Sequence, residues 1–260
     1  VEVLNKRPDV VLIAGPTASG KSELALSKAD LYDGEIVNAD SMQVYDNLSI
    51  LTARPSANDL KRVPHHLYGY VKVSQSLSVS KWLIDVDRVL LDLRERDKVP
   101  IFAGGTGLYF RSLLEGIATI PKIPESIRRD VRNQLSRIGS QALHKKLALV
   151  DPDSAENLHT SDGHRIARAL EVVLATGKSI QSHQTSHSRT MLDPYRKIEK
   201  LLLLPERAEL HERINARTDK MFENGVLEEV LKLNQYEIST EGGISKAIGV
   251  QFIKKYHNGE

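Results

Sequence analysis

Residues 15–22 read Gly-Pro-Thr-Ala-Ser-Gly-Lys-Ser, and this motif constrains the fold more than any other part of the sequence. It matches the phosphate-binding pattern Gly-x4-Gly-Lys-Ser, whose glycines let successive backbone N–H groups point inward at a phosphate. The apolar segment 9–15 before it predicts a buried strand, and the segment 22–31 after it has helical spacing. A strand, this loop and a helix in succession predict an α/β protein that binds a phosphorylated ligand.

The side chains of the loop have distinct expected roles in holding a diphosphate. Lys21 supplies a positive charge, and the helix that begins near it adds the positive end of its dipole. The Ser22 hydroxyl is a candidate ligand of Mg²⁺, the cofactor we expect. The residues expected to bind the diphosphate are Gly15, Thr17, Ala18, Ser19, Gly20, Lys21 and Ser22.

Further apolar segments alternate between strand and helix patterns along the chain. This alternation predicts a parallel sheet covered by helices on both faces. The four leucines at 201–204 form the longest apolar run and predict a buried strand. The predicted strands are 35–38, 99–103 and 198–204, and the predicted helices are 79–96, 206–222 and 226–233.

The pattern changes after residue 116. Segment 124–175 has helical patterns and almost no β-branched apolar runs, and segment 179–193 is rich in Ser, Thr, His and Gln, which predicts a loop. We therefore predict a P-loop NTPase-like parallel-sheet core with an inserted all-helical domain. The core comprises residues 1–116 and 197–260, and the insertion comprises residues 117–196.

Composition excludes several classes of protein. The chain of 260 residues has no cysteine, which rules out disulfides, thiolate zinc sites and a cysteine nucleophile. It carries no apolar run long enough to span a bilayer and no export signal, so we expect a cytoplasmic monomer without a membrane partner. The net charge of +2 is too balanced to indicate nucleic-acid binding by itself. The basic segment 128–146 is either a solvated helix face or a surface for RNA.

Polar residues follow the second and third predicted strands. Asp40 comes after segment 35–38, and a Gly-Gly-Thr-Gly sequence containing Thr106 comes after segment 99–103. The carboxyl ends of parallel strands meet at one edge of the sheet, so both are expected near the phosphate loop. Position alone leaves three roles open for Asp40, which are binding Mg²⁺ through water, general base, and helix N-cap.

Several motifs in a fixed order resemble those of one enzyme family. They cover nearly the whole chain and closely resemble the tRNA dimethylallyltransferases, also called tRNA isopentenyltransferases. A set of ordered motifs is far more specific than a phosphate-binding loop alone. The motifs are GPTASGKS (15–22), NADSMQVY (38–45), PHHL (64–67), GGTGLYF (104–110), HRIARALEV (164–172), RTDKMFENGVLEEV (217–230) and KAIGV (246–250).

The resemblance implies transfer of the dimethylallyl group from dimethylallyl diphosphate to N6 of adenine 37, beside the tRNA anticodon. It implies that the adenine flips out to react and that the helical insertion embraces the anticodon stem. It makes Asp40 the general base and puts Thr106 and Arg217 beside the reacting groups as further catalytic residues. The tRNA-binding residues it implies are Asp40, Ser41, Met42, Gln43, Thr106, Arg128, His164, Arg165 and Arg168.

The chain departs from the family pattern in three places. Leu51 and Arg54 stand where the family usually has Gly and Lys, and Val250 stands where it commonly has Tyr. Family members also continue past the position of Glu260 through a basic helix that contacts tRNA. We expect that segment to have been trimmed or to be disordered.

Three other functions remain open at the level of sequence. An adenylate isopentenyltransferase would use the same loop and base on a free nucleotide, although the insertion of about 80 residues and Thr106 favour the tRNA enzymes. A P-loop small-molecule kinase would bind ATP in the loop and transfer a phosphoryl group. The third alternative is a non-catalytic RNA-binding module, whose affinity for RNA would not depend on Asp40.

Overall fold

The computed structural model describes residues 7–118, 120–184, 190–236, 238 and 243–259. The chain divides into two compact units, Val1–Glu115 together with Thr190–Glu260, and Gly116–Arg189. The second unit overlaps the predicted insertion 117–196, but it begins at Gly116 and ends at Arg189.

The first unit contains one five-stranded parallel sheet. Its order is β3-β2-β4-β1-β5, and every pair of neighbouring strands is parallel. This arrangement confirms the predicted α/β class with a parallel sheet. The strands are β1 (Val10–Ala14), β2 (Gly34–Asn38), β3 (His65–His66), β4 (Val99–Gly104) and β5 (Ile198–Leu202).

The register aligns the carboxyl ends of the three central strands. Ala14 of β1 pairs with Gly104 of β4, and Asn38 of β2 pairs with Ala103 of β4. The segments that follow these strands therefore leave the sheet side by side. This alignment brings three segments to one edge of the sheet, as the sequence predicts. They are the phosphate loop (15–22), the Asp40 segment (39–46) and the Thr106 segment (105–107).

Helices connect the strands of the first unit and form the second. The first unit contains α1 (Lys21–Tyr32), α2 (Ala57–Arg62), α3 (Val79–Glu95) and α4 (Gly107–Glu115). The second contains α5 (Glu125–Val150), α6 (Pro152–Glu156), α7 (Gly163–Thr176) and α8 (Ile180–Gln184). The chain then returns to the first unit with α9 (Arg207–Glu223), α10 (Val226–Leu231) and α11 (Val250–His257), and with 3-10 turns at Lys232–Gln235 and Gly243–Lys246.

The core of the first unit forms where apolar residues recur at the predicted spacing. Strands β1 and β4 are buried almost throughout, which accounts for their continuous apolar sequences. Helix α3 buries one face, as its steps of three and four residues predict. The buried residues of this face are Trp82, Leu83, Val86, Leu90 and Leu93.

Two sequence-based predictions are wrong. Segment 201–204 is not a buried strand, because β5 lies at the edge of the sheet and Leu202 and Leu204 are 66% and 72% exposed. Segment 179–193 is not wholly a loop, because α8 forms at its start. A polar composition does not prevent a short helix at the surface. Residues 185–189 of that segment lie outside the described residues.

The second unit is built on the packing of α5 against α7. Leu143 and Leu147 of α5 and Ile166 of α7 are fully buried in one apolar cluster. Gly139 interrupts α5 with φ 78° and ψ 171°, a conformation that favours glycine. No helix in the described parts of either unit is long and apolar enough to cross a membrane.

Candidate active site

The phosphate loop runs from the end of β1 to the start of α1. A Cβ at Gly15 would lie 2.7 Å from the Leu203 carbonyl oxygen and 2.9 Å from Ser19 Oγ, so the close approach of the residue that follows β5 requires glycine there. Gly20 has φ 90° and is the N-cap residue immediately before α1. The loop therefore has the curled backbone that the sequence motif predicts.

Lys21 is the cation of the loop. Its ammonium group donates to the Pro16 carbonyl and lies 3.4 Å from Ser19 Oγ. Burial is the main cause that lowers the pKa of Lys21; the negative charge of Asp40 opposes this effect and the positive charge of Arg217 reinforces it. Lys21, Asp40 and Arg217 are thus close enough to interact electrostatically. Ser22 follows in the first turn of α1 and is exposed.

Asp40 is fixed by hydrogen bonds around its own backbone. The Asn38 side chain accepts from the Asp40 N–H at 2.8 Å and donates to the Asp40 carbonyl at 3.0 Å. Asp40 Oδ1 accepts from the Met42 N–H at 2.9 Å, in a local turn that does not begin a helix. The interpretation of Asp40 as a helix N-cap is therefore wrong.

The second carboxylate oxygen of Asp40 points toward the other two loops. A Cβ at Gly105 would lie 3.5 Å from Asp40 Oδ2 and 3.6 Å from the Gly15 carbonyl oxygen. The Asp40 carboxylate and the beginning of the phosphate loop thus flank Gly105 closely. The absence of a side chain at Gly105 leaves the space beside this oxygen open.

Thr106 binds the Asp40 segment to the loop that follows β4. Its hydroxyl oxygen accepts from the Ser41 N–H at 2.9 Å and donates to Ser41 Oγ at 3.2 Å. Its own N–H donates to the Ala39 carbonyl at 3.2 Å. A Cβ at Gly104 would lie 2.1 Å from this carbonyl, so the two segments are in backbone contact. Thr106 is therefore hydrogen-bonded to the residues on both sides of Asp40.

Helix α9 supplies two arginines to the same edge. Burial lowers the pKa of Arg217, and the charge of Asp40 opposes that change. Arg213 lies one helical turn earlier, and its Nη1 is 4.0 Å from the position of a Cβ at Gly20. The sequence analysis missed Arg213, although its spacing of four residues from Arg217 puts both on one face of a predicted helix. Arg213 also pairs with Glu209 at 2.5 Å.

Met42 and Gln43 extend the Asp40 segment away from the phosphate loop. Met42 is partly buried against an apolar cluster formed by residues 44–73 and residues 226–253. Gln43 uses its side-chain amide nitrogen to donate to the carbonyls of Thr52 at 2.8 Å and Ala53 at 3.0 Å. The implied contact of Ser41, Met42 and Gln43 with the target nucleotide stays a prediction.

Aromatic residues pack next to the start of the Asp40 segment. Trp82 stacks on Tyr109 with ring centroids 3.9 Å apart, and its indole N–H donates to the Asn38 carbonyl at 3.3 Å. The pKa of Tyr68 is raised by burial and by the charge of Asp40. The site therefore combines charged groups with apolar aromatic surface. His65, whose ring nitrogen bonds the Val63 carbonyl at 2.7 Å, has a structural partner.

The remaining predicted tRNA contacts lie in the second unit. Three of them form local ion pairs: Arg128 with Glu125 at 3.5 Å, Arg165 with Asp162 at 3.5 Å and Arg168 with Glu171 at 3.2 Å. Glu171 is buried, so Arg168 also compensates a buried charge. His164 and Arg165 are exposed near the start of α7. A role of these four residues in binding tRNA stays a prediction.

The departure at Leu51 causes no backbone strain. Leu48 and Ala53 in the same segment have positive φ, but Leu51 does not. The backbone at position 51 is therefore not left-handed and does not require glycine. The Leu51 side chain instead lies beside Gly249, 2.9 Å from the position of a Cβ there. Arg54 donates to the carbonyls of Tyr45 and Asp46.

Two family models match the chain. The model described as IPP transferase matches residues 43–260, and the model described as Isopentenyl transferase matches residues 8–72. The tRNA dimethylallyltransferase of Rhizobium johnstonii is 46% identical over 260 residues, which cover 100% of this chain and 87% of that protein. The tRNA dimethylallyltransferase of Rhizobium rhizogenes is 49% identical over 225 residues, which cover 86% and 75% of the two chains.

Solved structures agree with these matches. The full-length tRNA isopentenylpyrophosphate transferase of Bacillus halodurans aligns with a TM-score of 0.64 at 32% identity, over 97% of this chain and 78% of that one. A eukaryotic dimethylallyltransferase acting on tRNA aligns with a TM-score of 0.75 at 27% identity, over 96% and 63%. On the strength of the full-length similarity and the family match, the chain belongs to the IPP transferase family of prenyltransferases.

Proposed function

We propose that this protein is a tRNA dimethylallyltransferase that transfers the dimethylallyl group of dimethylallyl diphosphate to N6 of adenine 37. The observation that carries the proposal is the close approach of the Asp40 carboxylate to the phosphate loop, since a Cβ at Gly105 would lie 3.5 Å from Asp40 Oδ2 and 3.6 Å from the Gly15 carbonyl oxygen. Lys21 and Arg217 interact electrostatically with the same carboxylate. Two cations suit a diphosphate, and a carboxylate suits an amine that must lose a proton. The names of the relatives supply the nucleic-acid substrate and the prenyl group.

In the proposed reaction, the N6 nitrogen forms a bond to C1 of the dimethylallyl group while the bond from C1 to the diphosphate oxygen breaks. The diphosphate leaves with the electron pair of that bond, and Lys21, Arg217 and the loop amides stabilise its charge. The N6 proton passes to the Asp40 carboxylate, which acts as the general base. Thr106 holds the Asp40 segment through Ser41.

The residues of the loop fit a bound Mg²⁺. Protein-bound Mg²⁺ usually keeps several waters and takes one or two protein oxygens together with substrate phosphate oxygens. Within the described ranges there is no group of three or more His, Cys, Asp or Glu side chains that could hold a metal ion. The Ser22 hydroxyl is the proposed ligand, with Asp40 as a partner through water. When bound, the ion would neutralise part of the diphosphate charge.

The tRNA substrate is favoured over a free nucleotide by the extent of the family match. The match to IPP transferase covers residues 43–260 and so includes the whole helical unit Gly116–Arg189. That unit carries the proposed contacts to the anticodon stem, Arg128, His164, Arg165 and Arg168. We therefore propose the anticodon stem-loop as the RNA partner.

The decisive experiment compares Asp40→Asn with the matched variant Asp46→Asn, an exposed carboxylate on the same segment. Prenylation of an anticodon stem-loop RNA is measured by mass spectrometry with dimethylallyl diphosphate as donor. We expect Asp40→Asn to lower kcat by about 10²- to 10⁴-fold, the usual contribution of a general base. The KM for the diphosphate should stay equal or fall, because a negative charge beside Lys21 is removed.

The same assay tests the rival functions. AMP and ATP replace the RNA in parallel reactions. Prenylation of AMP without prenylation of the stem-loop would indicate an adenylate isopentenyltransferase. Thermal stabilisation by ATP but not by dimethylallyl diphosphate would indicate a kinase. Unchanged turnover in Asp40→Asn would overturn the assignment of the base.

A further inference from the structure

Glu229 forms an unusual set of hydrogen bonds with a distant turn. It lies in the first turn of α10, yet its carboxylate contacts residues 178 to 180 positions earlier in the chain. Oε1 accepts from Ser49 Oγ at 2.9 Å and from the Ile50 N–H at 2.8 Å. Oε2 accepts from the Leu51 N–H at 2.9 Å and from the Ile50 N–H at 3.1 Å. A single carboxylate thus satisfies two adjacent backbone amides and a hydroxyl.

The turn that Glu229 binds is one turn of helix-like backbone. The Thr52 N–H donates to the Leu48 carbonyl at 3.0 Å, and the Arg54 N–H donates to the Ser49 carbonyl at 3.0 Å. Amides at the start of such a turn have no partner within it, so an anion there satisfies them and favours the aligned peptide dipoles. Glu229 therefore caps this turn from another element, as a side-chain N-cap does locally.

The other end of the turn holds Gln43. The carbonyls of Thr52 and Ala53 both accept from Gln43 Nε2, at 2.8 Å and 3.0 Å. Only the NH₂ group of an amide can donate, so these two carbonyls fix which way the amide faces. Gln43 Oε1 receives no hydrogen bond from the described residues, and it is left as an acceptor on the opposite side. Gln43 follows Asp40 by three positions, on the same segment.

We propose that Glu229 is a positioning residue for RNA recognition: by capping residues 49–51 it fixes the turn whose carbonyls orient the Gln43 amide. This inference rests on the proposed function, because it gives Gln43 Oε1 a nucleobase N–H as its partner. The phosphate loop is not part of this chain of contacts. Loss of the cap therefore weakens the use of RNA and leaves the use of the prenyl donor unchanged.

The variant Glu229→Gln tests this inference with little change of shape. The substituted NH₂ group cannot accept from the Leu51 and Ile50 amides, so half of the cap is lost. The matched control is Glu228→Gln, which removes the same charge from an exposed position one residue earlier. Melting temperature and circular dichroism establish that both variants are folded. Glu229→Ala serves as a second variant that removes the cap completely.

Three measurements decide the outcome. We expect Glu229→Gln to lower kcat/KM for the anticodon stem-loop by about tenfold, as loss of a charge-assisted hydrogen bond does. The KM for dimethylallyl diphosphate should stay within about twofold of the wild-type value. The double variant Gln43→Ala with Glu229→Gln should be no less active than Gln43→Ala alone, because both changes remove the same contact. A purely structural role for Glu229 would give additive losses.

The outcomes separate this inference from the proposed function. If the wild-type protein prenylates RNA and Glu229→Gln behaves as Glu228→Gln does, the positioning role is refuted while the proposed function stands. Additive losses in the double variant would also refute it. If the wild-type protein does not prenylate RNA, the proposed function fails. Hydrogen exchange of the peptide spanning 48–54 is then decisive, since equal exchange in both variants would overturn the cap itself.

Discussion

Gly104 is in such close contact with the Asp40 segment that Gly104→Ala is expected to displace Asp40. The Cβ of alanine would lie 2.1 Å from both the carbonyl carbon and the carbonyl oxygen of Ala39, and 2.7 Å from the Asp40 nitrogen. Nonbonded carbon atoms prefer a separation of about 3.5 to 4.0 Å. The obstacles are backbone atoms of the neighbouring segment, which cannot rotate away as a flexible side chain can.

Relief of this clash requires the Asp40 backbone to move by on the order of 1 Å. Overpacking of this kind typically destabilises a protein by about 1 to 3 kcal/mol. A midpoint of about 2 kcal/mol corresponds to a melting temperature lower by roughly 6 °C for a chain of this size. A displacement of on the order of 1 Å in a catalytic group lowers the rate by about 100-fold. Activity is therefore expected to suffer far more than stability.

Two other glycines of the same motif provide graded controls. A Cβ at Gly105 would make ordinary contacts, 3.5 Å from Asp40 Oδ2 and 3.6 Å from the Gly15 carbonyl oxygen. A Cβ at Gly107 would meet no atom within 4 Å. Gly107→Ala should therefore be neutral or slightly stabilising at the start of α4. Gly105→Ala should fold normally and lose activity, because a methyl group fills the space beside the carboxylate.

The assay is prenylation of the stem-loop RNA, with melting temperatures measured in parallel by calorimetry. Activity is expected to fall in the order Gly107→Ala, Gly105→Ala, Gly104→Ala. Wild-type activity in Gly104→Ala would refute the claim that the loop after β4 fixes the position of Asp40. Equal losses in Gly104→Ala and Gly107→Ala would refute it too, because the effect would then not follow the contacts.

Three further predictions concern the loop, the sheet and the aromatic pair. Gly15→Ala should raise the KM for dimethylallyl diphosphate by about tenfold or more, because the added Cβ would lie 2.7 Å from the Leu203 carbonyl oxygen and distort the phosphate loop. Wild-type affinity for inorganic diphosphate, measured by calorimetry, would contradict this. The hydrogen bond with Arg96 is the main cause that lowers the pKa of Glu35 from 4.5. The ionised Glu35 carboxylate therefore stabilises the folded protein above pH 4.5, and this stabilisation is lost as the pH falls through the lowered pKa. The melting temperature of the wild type should therefore fall more steeply below about pH 5 than that of Glu35→Gln. Trp82→Phe should cost about 1 to 3 kcal/mol in unfolding free energy, measured by denaturant titration, because a buried carbonyl loses its donor; an unchanged midpoint would argue against that hydrogen bond.

The sequence predicts those parts of the fold that local patterns specify. The phosphate loop, its flanking strand and helix, and the amphipathic helix α3 follow from glycine positions and apolar spacing. Strand β3 has only two residues, His65–His66, and exists because it pairs with β2. Its histidines carry no strand pattern. The exposure of β5 likewise depends on its place at the edge of the sheet, which a run of leucines does not reveal.

The candidate site shows the same division between local and tertiary information. Asp40 and Thr106 could be predicted because each follows a strand of a parallel sheet, and such ends converge. Arg213 and Glu229 come from helices after the second unit, and the loop segments they contact lie well over a hundred residues earlier in the chain. Contacts of that kind depend on how helices pack on the sheet, which periodicity does not specify.

The roles proposed for these residues would allow a phosphate-binding core to serve a transfer of carbon rather than of phosphorus. In phosphoryl transfer, the protein activates the terminal phosphate toward attack. Here Lys21 and Arg217 interact electrostatically with the Asp40 carboxylate. The backbone of Asp40 is held by the Asn38 side chain, and its Oδ1 accepts from the Met42 N–H. A rigid carboxylate can accept a proton only from a group delivered to a fixed point. The proposed chemistry therefore requires precise placement of the RNA base more than movement of the loop. The contacts of Thr106 and Gly104 with the Asp40 segment, and the cap that Glu229 provides for the turn holding Gln43, meet that requirement.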